Sequence, residues 1–142
     1  MEAGDVILTV LKNNRNHMSV WRQKAIACLP EFKEDLEQPD STIYDVFLDL
    51  LPTVVSAHKE NNVARLALMY EFAEWCFRQE EKELWNAAGV GFYEHLGDYK
   101  ETSESMTQWV KYDIYKEIRG LLKLRISEKQ LHELDRKYSY TN

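Results

Sequence analysis

Four histidines, two cysteines and a surplus of carboxylates are the residues in this 142-residue chain whose types could do chemistry. A metal site needs several His, Cys or carboxylate ligands converging on one point. His17, His58, His95 and His132 fall on separate segments, and only Glu128 and His132 stand at a spacing that could share a helix face. Two ligands do not close a site, and neither H-E-x-x-H nor the E-x-x-H pairs of a helical di-iron centre occur. A cysteine nucleophile needs a base within hydrogen-bond reach. Cys76 stands between Trp75 and Phe77, and Cys28 just before Leu29-Pro30, which predicts buried free thiols of a reducing compartment. Gly89-Val90-Gly91 continues a helical stripe instead of following a strand, so these small residues favour close helix approach over phosphate binding. Glu71 with Glu74, and Glu94, are the carboxylates that burial could tune for acid–base work. Solvated or salt-bridged carboxylates are the expectation, but aromatics flank Glu71 and Glu94. Either, if drawn inward, is expected as a buried, hydrogen-bonded acid joining the two hairpin helices and not as a catalytic one. The pattern predicts no catalytic residue, no metal and no cofactor.

The elements that would position these residues are helices. Gly 5 and Pro 3 are few, and helix formers dominate. The centre is the stretch from Val63 to Leu96, two amphipathic helices split by the polar Gln79-Glu80-Glu81-Lys82-Glu83. Leu66, Met69, Tyr70, Ala73, Cys76 and Phe77 recur at three- and four-residue steps, with Leu68, Phe72 and Trp75 widening the stripe. Leu84, Trp85, Ala88, Gly91, Phe92 and Leu96 repeat the device, and two such stripes pack as a helical hairpin.

Around this hairpin the pattern predicts a segment over residues 4–14, a helix to Cys28 ended by Pro30, and one or two turns over 31–37. Asp40 or Ser41 is placed to cap a helix carrying Ile43, Val46, Phe47, Leu50, Leu51, Val54 and Val55, kinked or divided at Pro52. Gly97 is placed as a C-cap. From about Ser103 one helix carries Met106 to Leu122, and Ser127-Glu128-Lys129-Gln130 is a capping box for the last helix, followed by a frayed tail over 138–142. The expectation is an all-α, single-domain bundle of about six or seven helices, irregular and loosely repeat-like, spanning residues 1–142.

Formal net charge is -6, distributed unevenly. Between Glu31 and Asp49 seven acids (Glu31, Glu34, Asp35, Glu37, Asp40, Asp45, Asp49) face Lys33 alone, and the hairpin break adds Glu80, Glu81 and Glu83. Residues 110–137 carry eight bases against five acids. An acidic surface repels nucleic acid and anionic membrane and speeds encounter with a basic partner. The acidic start Met1-Glu2-Ala3-Gly4-Asp5 is opposite to a secretory leader, and no stretch approaches the ~20 apolar residues of a membrane span, so a cytoplasmic protein is expected.

The run YEFAEWCFRQEEKELWNAAGVGFYEHLGD resembles the core motif of a family of small, uncharacterised all-helical bacterial proteins. An aromatic-Glu pair is followed by an acidic break and a small-residue helix ending in aromatic-Glu-x-Leu. Here those places hold Tyr70, Glu71 and Phe72, then Asn86, Ala87, Val90, Phe92, Glu94 and Leu96, with Tyr93 where the family has a smaller apolar residue. Leu29-Pro30-Glu31-Phe32 and the helix around Phe47 to Leu51 extend the likeness over residues 20–98. The resemblance implies the size, charge and helical build of bacterial immunity proteins, which bind and neutralise a cognate toxin, and implies no enzyme activity.

Residues and resemblance together predict a protein-binding module, most specifically an immunity-type inhibitor of a basic toxin domain. Its contact face would be drawn from the acids at 31–49 or from those at the hairpin break. The alternative is a self-associating scaffold using an aromatic patch around Trp109, Tyr112 and Tyr115.

Overall fold

A capping box opens the longest helix of the computed structural model, which describes residues 18–142. Thr42 Oγ1 accepts from the Asp45 amide at 3.3 Å while the Asp45 carboxylate accepts from the Thr42 amide at 2.8 Å. Thr42 thus takes the role expected of Asp40 or Ser41. Ser41 is occupied instead, its hydroxyl donating to the Leu36 and Gln38 carbonyls.

The described residues form nine α-helices: α1 (Val20–Cys28), α2 (Lys33–Leu36), α3 (Ile43–Lys59), α4 (Val63–Phe77), α5 (Lys82–Gly91), α6 (Lys100–Glu104), α7 (Met106–Trp109), α8 (Tyr112–Lys123) and α9 (Glu128–Tyr138). Short 3₁₀ turns cover Pro30–Phe32 and Tyr93–His95. The chain is all-α, with more helices than the six or seven expected. The segment expected over residues 4–14 lies outside the described residues.

Helices α3, α4 and α5 pack on one another, with α1 against α4, and α8 against α5 and the 93–95 turn. The hairpin predicted over 63–96 is present. Asn61 makes the α3–α4 turn in the left-handed region, which asparagine tolerates, and the Asn62 amide closes it on the Ala57 carbonyl at 2.9 Å. The Asn62 side chain then caps α4 at the Arg65 amide. Met69, Tyr70, Phe72, Ala73 and Cys76 are buried as the spacing predicts, but Leu68 is 54% exposed and Trp85 39%. The apolar stripe is therefore wider than its covered part.

Helix α3 runs through Pro52 as one helix, so it is not divided into two abutting helices, one of the two expectations there. Pro52 cannot donate to the Leu48 carbonyl, and the side chains of both residues face solvent. The opposite correction applies downstream, where the single helix expected from Ser103 breaks into α6, α7 and α8. Val110 adopts an extended conformation and buries its side chain. The Tyr138 hydroxyl donates to the Val110 carbonyl at 2.7 Å and to the Met106 carbonyl at 2.9 Å, which also accepts from the Val110 amide. Two residues of the segment expected to fray, Tyr138 and Tyr140, make contacts with the rest of the fold. Tyr138 stacks on Tyr115 with ring centroids 4.0 Å apart, Tyr140 packs on Tyr115, and the Tyr140 amide bonds to the Asp135 carbonyl.

The glycines divide by what surrounds them. Gly97 is not the C-cap expected, since no described glycine has positive φ. A Cβ there would meet Ile126 Cγ2 at 2.6 Å, whereas one on Gly120 would meet nothing within 4 Å. Gly97→Ala is expected to destabilise by about 1–3 kcal/mol through overpacking against a stiff β-branched side chain. Gly120→Ala, in an exposed helix interior, is expected to stabilise by about 0.5–1 kcal/mol. Urea midpoints of the two variants should move in opposite directions.

Candidate functional site

The acids expected to form a contact face do not share one fate. Glu31 is drawn away by Arg65 of α4, which donates to both carboxylate oxygens and holds the Glu31 carboxyl below its ordinary range. Glu37 pairs with Lys33 at 3.6 Å, one turn away. Among the described residues no base pairs with Glu34, Asp35, Asp40, Asp45 or Asp49.

Arg22 of α1 donates to the Gln38 carbonyl at 2.9 Å and the Ser41 carbonyl at 3.1 Å, and also reaches the Leu36 carbonyl and the Ser41 hydroxyl, which pins the α2–α3 turn. Asp45 and Asp49 follow at a four-residue step on α3. Partial burial of Asp49, together with the charges of Asp35 and Asp45, holds its carboxyl above the ordinary range. None of the three has an ion-pair partner among the described residues.

Glu80, Glu81 and Glu83 are exposed at the hairpin break, likewise without ion pairs among the described residues. The Asn86 amide donates to the Tyr44 hydroxyl at 2.9 Å, tying α5 to the start of α3 one turn beyond Glu83.

Of the two candidates for a buried acid, Glu71 and Glu94, neither is fully buried. Glu71 is exposed, because the buried face of α4 is taken by Met69, Tyr70, Phe72, Ala73 and Cys76 on either side of it. Glu94 keeps its side chain 21% exposed, because Tyr93 takes the inward position of the 3₁₀ turn and packs on Phe77 and Phe92. Neither carboxylate hydrogen-bonds across the hairpin. Glu74 is instead paired at the surface with Lys111 at 2.9 Å and Arg78 at 3.6 Å.

The thiols follow the expectation from sequence. Cys28 and Cys76 are buried and free, and burial pushes both up to about 12, which keeps them protonated and poorly nucleophilic. An open groove of about 500 Å³ runs between α1 and α4, past Lys24, Cys28, Leu68, Phe72 and Trp75. Among the described residues no group of three or more His, Cys, Asp or Glu could hold a metal ion.

Two polar clusters have no signature in the sequence. His58 Nε2 lies 2.8 Å from the Tyr70 hydroxyl, and Tyr70 stacks on Trp109 with ring centroids 5.2 Å apart. Asp135 accepts from Arg119 at 2.7 and 2.8 Å and from the Tyr115 hydroxyl at 2.6 Å. Of the aromatic patch expected to mediate self-association, Tyr115 is fully buried and Trp109 is half-buried against Tyr70 and His58, while Tyr112 stays 36% exposed beside Tyr138.

Burial holds the His58 imidazole below its ordinary value of 6.5, although Glu101 pulls the other way. The unfolded chain therefore takes up the proton first as pH falls, and His58 subtracts stability below pH 6.5 until its folded-state pKa is passed. Melting temperature should fall across that window more steeply in the wild type than in His58→Gln.

Comparison with known proteins places this helical core. The model of a family described as a domain of unknown function, DUF7674, matches residues 22–125. The chain belongs to the DUF7674 family. The match takes in α1 through α8, including the α2–α3 turn, the hairpin and its acidic break. It stops before α9, which buries Leu131 and Leu134 and ties back through Asp135 and Tyr138. No curated protein and no solved structure matches the chain. No described helix is long and apolar enough to cross a membrane.

Proposed function

We propose that this chain is a protein-binding module, most specifically a cytoplasmic immunity-type inhibitor that neutralises a basic bacterial toxin through an acidic face. The observation that carries the reading is the uncompensated set Asp35, Asp45 and Asp49. Glu31 is bridged by Arg65 and Asp135 by Arg119, whereas none of these three acids has an ion-pair partner among the described residues. These three repel one another, and a Lys or Arg from outside relieves that repulsion when it arrives. The resemblance to immunity-like helical proteins supplies the class of partner, and the unreactive thiols favour binding over covalent chemistry.

Affinity capture with the tagged full chain from its own host, including products of neighbouring reading frames, tests this. The reading expects one stoichiometric basic protein whose toxicity the chain relieves on co-expression. Recovery of the chain alone, or of a partner whose toxicity is unchanged, would overturn the toxin assignment.

A further inference from the structure

Helix α3 carries a second feature on the side turned away from the core. Tyr44, Leu48 and Pro52 recur at four-residue steps and form one ridge. Tyr44 is 38% exposed, Leu48 73%, and Pro52 is exposed as well. Nothing in the fold requires an apolar side chain at Leu48, whose neighbours Phe47 and Leu50 supply the buried contacts. Asp45 and Asp49 occupy the adjoining row, with Asp35 beside them. The ridge therefore offers an apolar anchor point beside two carboxylates of the same helix, Asp45 and Asp49, with Asp35 of α2 close enough for its charge to act on Asp49. A neutral apolar partner would leave the acids desolvated, and a purely cationic one would leave Leu48 in water.

We propose that the outer face of α3 seats a cationic protein segment carrying an apolar side chain between its Lys or Arg residues, with Leu48 at the centre of the contact. This rests on the protein-binding reading above and chooses α3 over the acids of the hairpin break. The Lys or Arg donors pair with Asp45, Asp49 and Asp35, and the apolar side chain packs on Leu48 and Tyr44.

The test uses the full chain and two synthetic peptides of equal charge, an amphipathic Arg/Leu peptide and its Arg/Ser counterpart, followed by amide chemical shifts. The expected result is shifts confined to the α3 face and the end of α2 with the Arg/Leu peptide. Affinity should drop about tenfold for the Arg/Ser peptide or for Leu48→Ser, and be unchanged in Glu80→Lys/Glu81→Lys. Leu48→Ser alters a solvent-facing side chain, so the variant retains the fold. Equal affinity for the two peptides, absence of binding, or shifts centred on the hairpin break would overturn the proposal. So would α3 shifts that grow with protein concentration alone, which would make a second copy the occupant. If capture yields a toxin that binds Leu48→Ser as tightly as wild type, the α3 assignment fails while the immunity reading stands. If the peptide binds on α3 but capture yields no toxin, the α3 assignment stands while the immunity reading fails.

Discussion

Phe47→Ala is expected to destabilise the fold by about 3–5 kcal/mol. Phe47 sits where α3, α4 and α5 cross, 1% exposed, with its ring 5.7 Å from that of Phe72 and 6.1 Å from that of Phe92. The third wall is backbone, since a Cβ built on Gly91 would lie 3.0 Å from Phe47 Cβ. A glycine wall has no side chain that can swing into the space an alanine leaves, so the cavity persists. Against a total stability of about 5–15 kcal/mol, that loss removes a large share. Leu48→Ala, one residue along the same helix, is expected to change stability by no more than about 0.5 kcal/mol. Urea denaturation of the pair checks both. A loss below about 1 kcal/mol for Phe47→Ala would mean that the three helices do not cross at that ring.

Asp135→Ala is the second large effect, with an expected loss of about 2 kcal/mol after allowing for a partly solvated rim. Its carboxylate takes two donors from Arg119 and one from Tyr115, and truncation leaves both partners facing each other. Arg119 also lies over the Tyr140 ring at 4.4 Å, so the tail should loosen along with α9. Asp135→Asn keeps an acceptor for Tyr115 and should recover part of the loss. The Arg119 guanidinium, with the Tyr115 hydroxyl behind it, holds the Asp135 carboxyl below its ordinary value of 3.8. A depressed carboxyl contributes stability that is present above pH 3.8 and lost as pH falls through the folded-state value. Acid unfolding of Asp135→Asn should lack that component.

The contrast between these two residues shows how much of the fold could be read in advance. Phe47 belongs to a stripe whose three- and four-residue steps identify its helix and buried face without other information. The hairpin and the Ser127 capping box were equally legible, because their determinants lie within a few residues of each other. Asp135 is tied to Tyr115, 20 residues back, through a packing of α8 on α9 that no local pattern encodes. The same limit explains the aromatic patch. Periodicity marks Trp109 and Tyr115 as apolar-facing but cannot say that Tyr70 and Tyr138 cover them.

The candidate face was legible only in outline. Seven acids against one base between Glu31 and Asp49 announced an acidic region. Which of them remain free depends on Arg65, 34 residues beyond Glu31, and on the turn that Arg22 pins. Leu48 was hidden for another reason. A run of Phe47, Leu48, Leu50 and Leu51 looks uniformly apolar, and only the packed helix separates the residue that points outward.

The most direct measurement is the association rate of the captured partner as a function of ionic strength, for wild type and for Asp35→Lys/Asp49→Lys. Asp45 is left intact because its carboxylate also caps α3. A basic partner steered by this face should associate more slowly as salt rises, and about 10- to 1,000-fold more slowly with the reversed charges at low salt. An association rate that ignores both salt and charge reversal would contradict the acidic-face account.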